Sequence, residues 1–282
     1  MKTTTKQVFV AAAWLLTLFG VIGGTLLWQR QVRRPKHPVA AITVGSTTRI
    51  PTILLLDAKT TSAQRHEFTA SLQGHNGNQS VITAQLTTAG AVKFSGQLTA
   101  YDTRPYIQLK LPTKSASMAQ QATWLKLALK RAQQQFKFSQ FNLITYGTGG
   151  LIATTYLEET DNSPLPNQLV AIATPFNGTS LKQNTNETTA VSRKDQTSQL
   201  KNLITKKAAI SANIRVLLIA GQTKGDINGD GVIPVQSALA GQAIYRPVVK
   251  HYEQSVIHSW HASHTSLYSS WKLANLIQEF ID

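Results

Sequence analysis

The sequence predicts an α/β fold with a mostly parallel sheet and helices on both faces. Three observations carry this: short apolar runs such as Ile53–Leu56 and Leu169–Ala173, amphipathic stretches between such runs, and Phe141–Leu151 (FNLITYGTGGL), where a strand enters a glycine-rich turn and then a helix. A continuous apolar run marks a strand buried on both faces, as in a sheet covered by helices on either side. The 282 residues suffice for one domain of this kind.

Taken in order, Val8–Trp28 is a 21-residue stretch without a charge, about 31 Å long as a helix and matched to a bilayer core. It exceeds the apolar core of a secretory signal, and no small-residue cleavage site follows it closely, so a retained anchor is expected over residues 1–30. Trp28 suits the interface. Residues 31–48, with Pro35, Pro38 and a basic cluster, read as an extended linker, and the globular domain as residues 49–282. Lys2 and Lys6 precede the span while Arg30, Arg33, Arg34 and Lys36 follow it, a count that places the domain in the cytoplasm.

Within the domain, Ile53–Leu56 is the first inner strand, and Val81–Leu86 with Val92–Leu98 forms an edge hairpin around Thr88-Ala89-Gly90. Ile107–Leu111 is a strand. Ser117 opens a helix, with Gln120 as its capping-box partner and an apolar face of Met118, Ala122, Leu125, Leu129, Ala132 and Phe136. After the glycine turn come a helix at Leu151–Leu157, strands at Leu169–Ala173, Ile214–Ala220 and Tyr252–Ile257, and a closing amphipathic helix at Trp271–Ile281. Asn177–Ser211 is polar and reads as a lid or insertion. Ligands are expected at the carboxyl ends of the strands.

The turn Thr145-Tyr146-Gly147-Thr148-Gly149 has the frame of G-x-S-x-G, in which a strained strand-to-helix turn exposes a serine Oγ. Gly147 stands at the serine position and has no side chain to attack with. Thr148 is a substitute only in a shifted register, which redirects its hydroxyl.

Five motifs in order resemble the DUF915 group of bacterial α/β-hydrolases, described as membrane-bound cell-surface hydrolases. They are Asn142-Leu143-Ile144 before the turn, Gly149-Gly150-Leu151 after it, Ile172–Gly178, Asp230–Pro234 and His264–Leu267. The resemblance runs from about Ile50 to the C-terminus. It implies the α/β-hydrolase fold, Asp230 as triad acid, His264 as general base, and a domain outside the membrane, against the charge count. The order turn, acid, histidine agrees with the order in such enzymes. Two departures stand out: Gly147 for the family's serine, and Leu56-Asp57 for its His-Gly after the first strand. The oxyanion region thus falls on Leu56, Asp57 and Thr148, and an acidic side chain there opposes developing negative charge.

No cysteine is present, which excludes disulfides, zinc-thiolate sites and a cysteine nucleophile. The net charge is +15, spread along the chain without an Arg-rich helix or interleaved aromatics, so no nucleic-acid partner is expected. A basic body suits anionic lipid headgroups or an anionic cell-wall polymer, and equally a plain lysine-rich surface. No cofactor is expected. Asp226, Asn228 and Asp230 fit the first positions of a calcium loop, but Ser237 stands where its closing Glu belongs. His258, His261 and His264 lack the spacing and acidic company of a zinc helix.

Two functions are therefore expected from different classes. One is a membrane-anchored, cell-surface binding or scaffold module that has lost hydrolysis. The other is an active esterase or acyl hydrolase with a displaced nucleophile, resting on Asp230 and His264.

Overall fold

The computed structural model describes residues 49–112, 116–159, 163–185, 190–225 and 228–282. The expected anchor and linker, Val8–Trp28 and residues 31–48, lie outside them. Among the described residues no helix is long and apolar enough to cross a membrane.

Eight strands form one sheet in the order β3-β2-β4-β1-β5-β6-β7-β8. They are β1 (Thr52–Leu55), β2 (Val81–Leu86), β3 (Val92–Ser95), β4 (Tyr106–Lys110), β5 (Asn142–Tyr146), β6 (Gln168–Ile172), β7 (Arg215–Thr223) and β8 (His251–Ser259). Only β2 and β3 pair antiparallel, as the expected edge hairpin. Every residue of β1, β5 and β6 is buried, so both faces of the sheet centre are covered and the apolar runs are explained. The α/β-hydrolase fold with its mostly parallel sheet is thereby present.

Seven α-helices are described: α1 (Ser62–Asn76), α2 (Met118–Phe136), α3 (Thr148–Leu157), α4 (Ser198–Lys206), α5 (Val235–Leu239), α6 (Gln242–Tyr245) and α7 (Trp271–Ile281). Ser117 caps α2 by accepting from Gln120 N. The full capping box is at α1, where Thr61 Oγ1 accepts from Gln64 N at 3.2 Å and Gln64 Oε1 from Thr61 N at 2.8 Å. α1 was not anticipated. Its inner face mixes apolar Phe68 and Leu72 with buried Arg65 and Thr69, which thins the apolar period that reveals a helix. β3 stops at Ser95, short of the expected Leu98, because Gly96 turns the chain at φ 101°.

Asn177–Ser211, read as a lid or insertion, is described except for residues 186–189. The segment contains α4, capped by Thr197, and Asn177 ties it down. Fully buried Asn177 shares its two Nδ2 hydrogens among Gln183 O, Asn184 Oδ1 and Asp195 O at 3.1–3.2 Å and accepts from Thr197 N at 2.8 Å. These bonds satisfy the buried amide and anchor the described part of the segment beside it.

The topology also selects a site. From β1 the chain moves out to β2 and β3 and returns through β4 to β1's flank, whereas β5 takes the opposite flank and β6–β8 extend that side. The direction reverses at β1 and β5, so a crevice opens beyond their carboxyl ends. Asp57 and Gly147 stand at those two ends.

Candidate active site

A single residue, Gly147, joins β5 to α3, at φ 56° and ψ −128°. L-residues rarely adopt this conformation. Its amide donates to Ile172 O, the end of neighbouring β6, at 2.9 Å, which locks the turn onto the sheet. Two residues on, a β-carbon at Gly149 would run into the Leu55 carbonyl. α3 therefore rests directly on the end of β1, and the two strand ends are brought into contact.

Asp57 uses this proximity. Its Oδ2 accepts from Thr148 Oγ1 at 2.9 Å and Thr148 N at 3.3 Å, and its Oδ1 accepts from Lys59 N at 2.9 Å. A β-carbon built on Gly147 would lie 2.9 Å from Asp57 Oδ2 and 3.3 Å from Asp57 Cβ. The carboxylate thus leans over the turn glycine. Burial raises the pKa of Asp57, but the hydrogen bonds from Lys59 and Thr148 and the charge of His264 outweigh it and hold the group below the usual carboxylate value. Asp57 is ionised at neutral pH. Behind it, Arg65 Nη2 donates to the Asp57 carbonyl at 3.2 Å. Leu56 is buried in the core.

On the other side of the crevice, Asp230 follows β7 in a turn closed by the Gly229–Pro234 bridge. Its Oδ1 accepts from Val232 N at 2.9 Å and Ile233 N at 2.6 Å, and its Oδ2 lies 2.7 Å from His264 Nδ1. Since the carboxylate accepts, Nδ1 is the donor of this bond. The main chains join as well, His264 N donating to Asp230 O at 2.9 Å. Asp230 and His264, 34 residues apart, therefore form one unit.

Tyrosines hold this unit, and the sequence reading did not find them. Tyr146 Oη donates to His264 O at 2.6 Å, and its ring meets the imidazole edge-on at 5.1 Å. Tyr268 stacks on Tyr146 at 4.3 Å and shares a 2.9 Å hydrogen bond with Thr60 Oγ1. Burial foremost, then Tyr268 and Asp230, pushes the Tyr146 phenol well above its ordinary pKa, so it remains a neutral donor. The one available signal was position: Tyr146 is the last residue of β5, and Tyr268 lies one helical turn beyond His264.

These groups border a cavity of about 650 Å³, with Asp57, Gly147, Thr148 and His264 at its polar end and Met118 and Ile233 among its apolar walls. Thr148 reaches the site, but its hydroxyl is bonded to Asp57, and no side-chain oxygen among the described residues is hydrogen-bonded to His264 Nε2. The calcium candidate is only partly described. Asp226 lies outside the described residues, and Asp230 spends its oxygens on Val232, Ile233 and His264. His258 and His261 are exposed, and the described residues contain no group of three or more side chains able to hold a metal.

Comparison with known proteins bears on the fold. Residues 41–282 match the model of the family described as alpha/beta hydrolase of unknown function, DUF915. The chain is similar to the lin2722 gene product of Listeria innocua, with 25% identity and a TM-score of 0.73 over 83% of this chain and 94% of that one. A presumptive cell surface hydrolase from Lactobacillus plantarum WCFS1 shares the fold at 24% identity and a TM-score of 0.64, over 84% and 92% of the two chains. No curated protein matches. The chain belongs to the DUF915 family of α/β hydrolases.

Proposed function

We propose that this α/β hydrolase has lost its hydrolytic chemistry and serves as a membrane-anchored, cell-surface binding or scaffold module, with the former active-site cleft as its ligand site. One observation carries this reading: the ionised Asp57 carboxylate lies over Gly147 and takes both donors of Thr148. In a working enzyme of this fold a serine oxygen occupies the turn, and the amide of the next residue stabilises the oxyanion. Here Gly147 supplies no oxygen, and the Thr148 amide already serves a carboxylate. Two requirements of acyl transfer are absent at once.

The Asp230–His264 pair favours the second reading, an esterase with a displaced nucleophile. Incubation of the purified chain with a serine-directed fluorophosphonate, followed by intact mass, separates the two. An unmodified mass supports the binding module, whereas an adduct that disappears in His264→Ala establishes the enzyme.

The anchor rests on Val8–Trp28, and a basic body suits anionic lipid headgroups or a wall polymer. Protease added to intact cells tests the orientation: cleavage of the domain supports an outer face, and protection until lysis refutes it.

A further inference from the structure

The two tryptophans exposed among the described residues belong to one segment. Trp260 is 68% and Trp271 65% exposed, whereas Trp124 is buried. An indole is a large apolar surface to leave in water, so two of them between Ser259 and Lys272 point to a surface with a binding role. Trp271 borders a concave pocket of about 350 Å³, a volume within the range of small-ligand sites. The short turn Ser266–Ser269 divides this pocket from the cleft: Thr265 and Tyr268 line the cleft, while Ser266 and Ser269 line the pocket. The two cavities share no lining residue.

Much of the remaining wall consists of serine hydroxyls whose hydrogen-bonding capacity is only partly spent. Ser259 Oγ accepts from His261 N at 3.2 Å and Ser270 Oγ from Leu273 N at 3.3 Å, and each keeps its own hydrogen to donate. Ser269 Oγ donates to Ser266 O at 3.3 Å and keeps its lone pairs. The Lys272 ammonium, 5.9 Å from the centre of the Trp271 ring, adds donors. A ligand matched to this wall both donates and accepts through several hydroxyl groups and presents an apolar face to an indole. A pyranose does both: its hydroxyls ring the edge, and its axial C–H groups make a slightly positive face that meets the negative face of an aromatic ring. An acyl chain in the same place would take the serine hydroxyls out of water without partners. We infer that this pocket binds a saccharide, with one sugar ring against Trp271 and its hydroxyls on Ser259, Ser269 and Ser270. The site stands apart from the cleft, so the inference does not depend on whether the cleft binds or hydrolyses.

Saturation-transfer NMR on the full chain, in a detergent without a sugar head group, tests this with three neutral trisaccharides: maltotriose, cellotriose and triacetylchitotriose. Uridine monophosphate, which can stack on the same indole, is the competitor. At least one trisaccharide is expected to bind with a Kd below about 5 mM, with saturation reaching its ring C–H protons. Trp271→Ala should weaken that binding at least about tenfold, as expected when an aromatic anchor is truncated. If that variant does not fold, Trp271→Leu, which keeps bulk without an aromatic face, takes its place with the same expected loss. Absence of binding by all three trisaccharides overturns the inference, as does binding that survives loss of the ring. Uridine monophosphate binding tighter than every trisaccharide also overturns it, and assigns the pocket to a nucleobase instead.

Discussion

Asp57 occupies the space that a side chain on Gly147 would need: its Oδ2 stands 2.9 Å from the point where the β-carbon would lie. The two residues are 90 positions apart, yet they meet because β1 and β5 are parallel neighbours and end together. Each makes the other tolerable. The glycine gives the carboxylate room, and the carboxylate compensates the donors left at the start of α3.

Gly147→Ser therefore meets a steric obstacle as well as an unfavourable φ of 56°. The expected cost is about 1–3 kcal/mol of unfolding free energy, measured by urea denaturation. Combined with Asp57→Gly, which removes the obstructing carboxylate, the two changes should be non-additive, with a favourable coupling of at least about 0.5 kcal/mol. Strict additivity would mean that the residues do not contend for the same space.

A pH effect is expected from Glu158, at the C-terminus of α3. Both its carboxylate oxygens are buried without a partner among the described residues. Burial, opposed by Lys206, raises its pKa to about 7 from an ordinary 4.5. The folded state then holds a proton that the unfolded state releases, so stability present below pH ~4.5 is lost as pH rises through about 7. Glu158→Gln stays neutral and should raise Tm at pH 8 by about 2–4 °C, equivalent to ~1 kcal/mol after allowing for solvent screening. At pH 4 the two proteins should melt alike.

Asn177→Ala should cost about 2–4 kcal/mol, because it strands the Thr197 amide and three acceptors on Gln183, Asn184 and Asp195. Limited proteolysis should then cut within residues 178–197 sooner than in the native chain. An unchanged digestion rate would mean that Asn177 does not hold this segment in place.

Much of the frame was legible because the central strands are buried on both faces and so spell themselves as unbroken apolar runs. Trp271–Ile281 was read to the residue, since its apolar face is complete. α1 and α4 were missed for the converse reason: α1 buries Arg65 and Thr69 beside Phe68 and Leu72, and α4 buries only Leu200 and Leu203. At the site, the family resemblance singled out Asp230 and His264, and the structure brings them within 2.7 Å. The acidic character of position 57 was visible as well. Its capture of Thr148 was not, because a contact spanning 91 positions depends on strand order, which local pattern does not encode. Tyr146 and Tyr268 escaped for the same reason.

The most direct test of whether Gly147 and Asp57 disarm the site is turnover of p-nitrophenyl butyrate by four proteins: native, Gly147→Ser, Asp57→Gly and the double variant. The expected result is activity above buffer in the double variant alone, abolished by His264→Ala, since only there are an oxygen at the turn and a free Thr148 amide both present. Turnover by the native protein that disappears with His264→Ala would contradict the claim that Gly147 and Asp57 together silence this cleft.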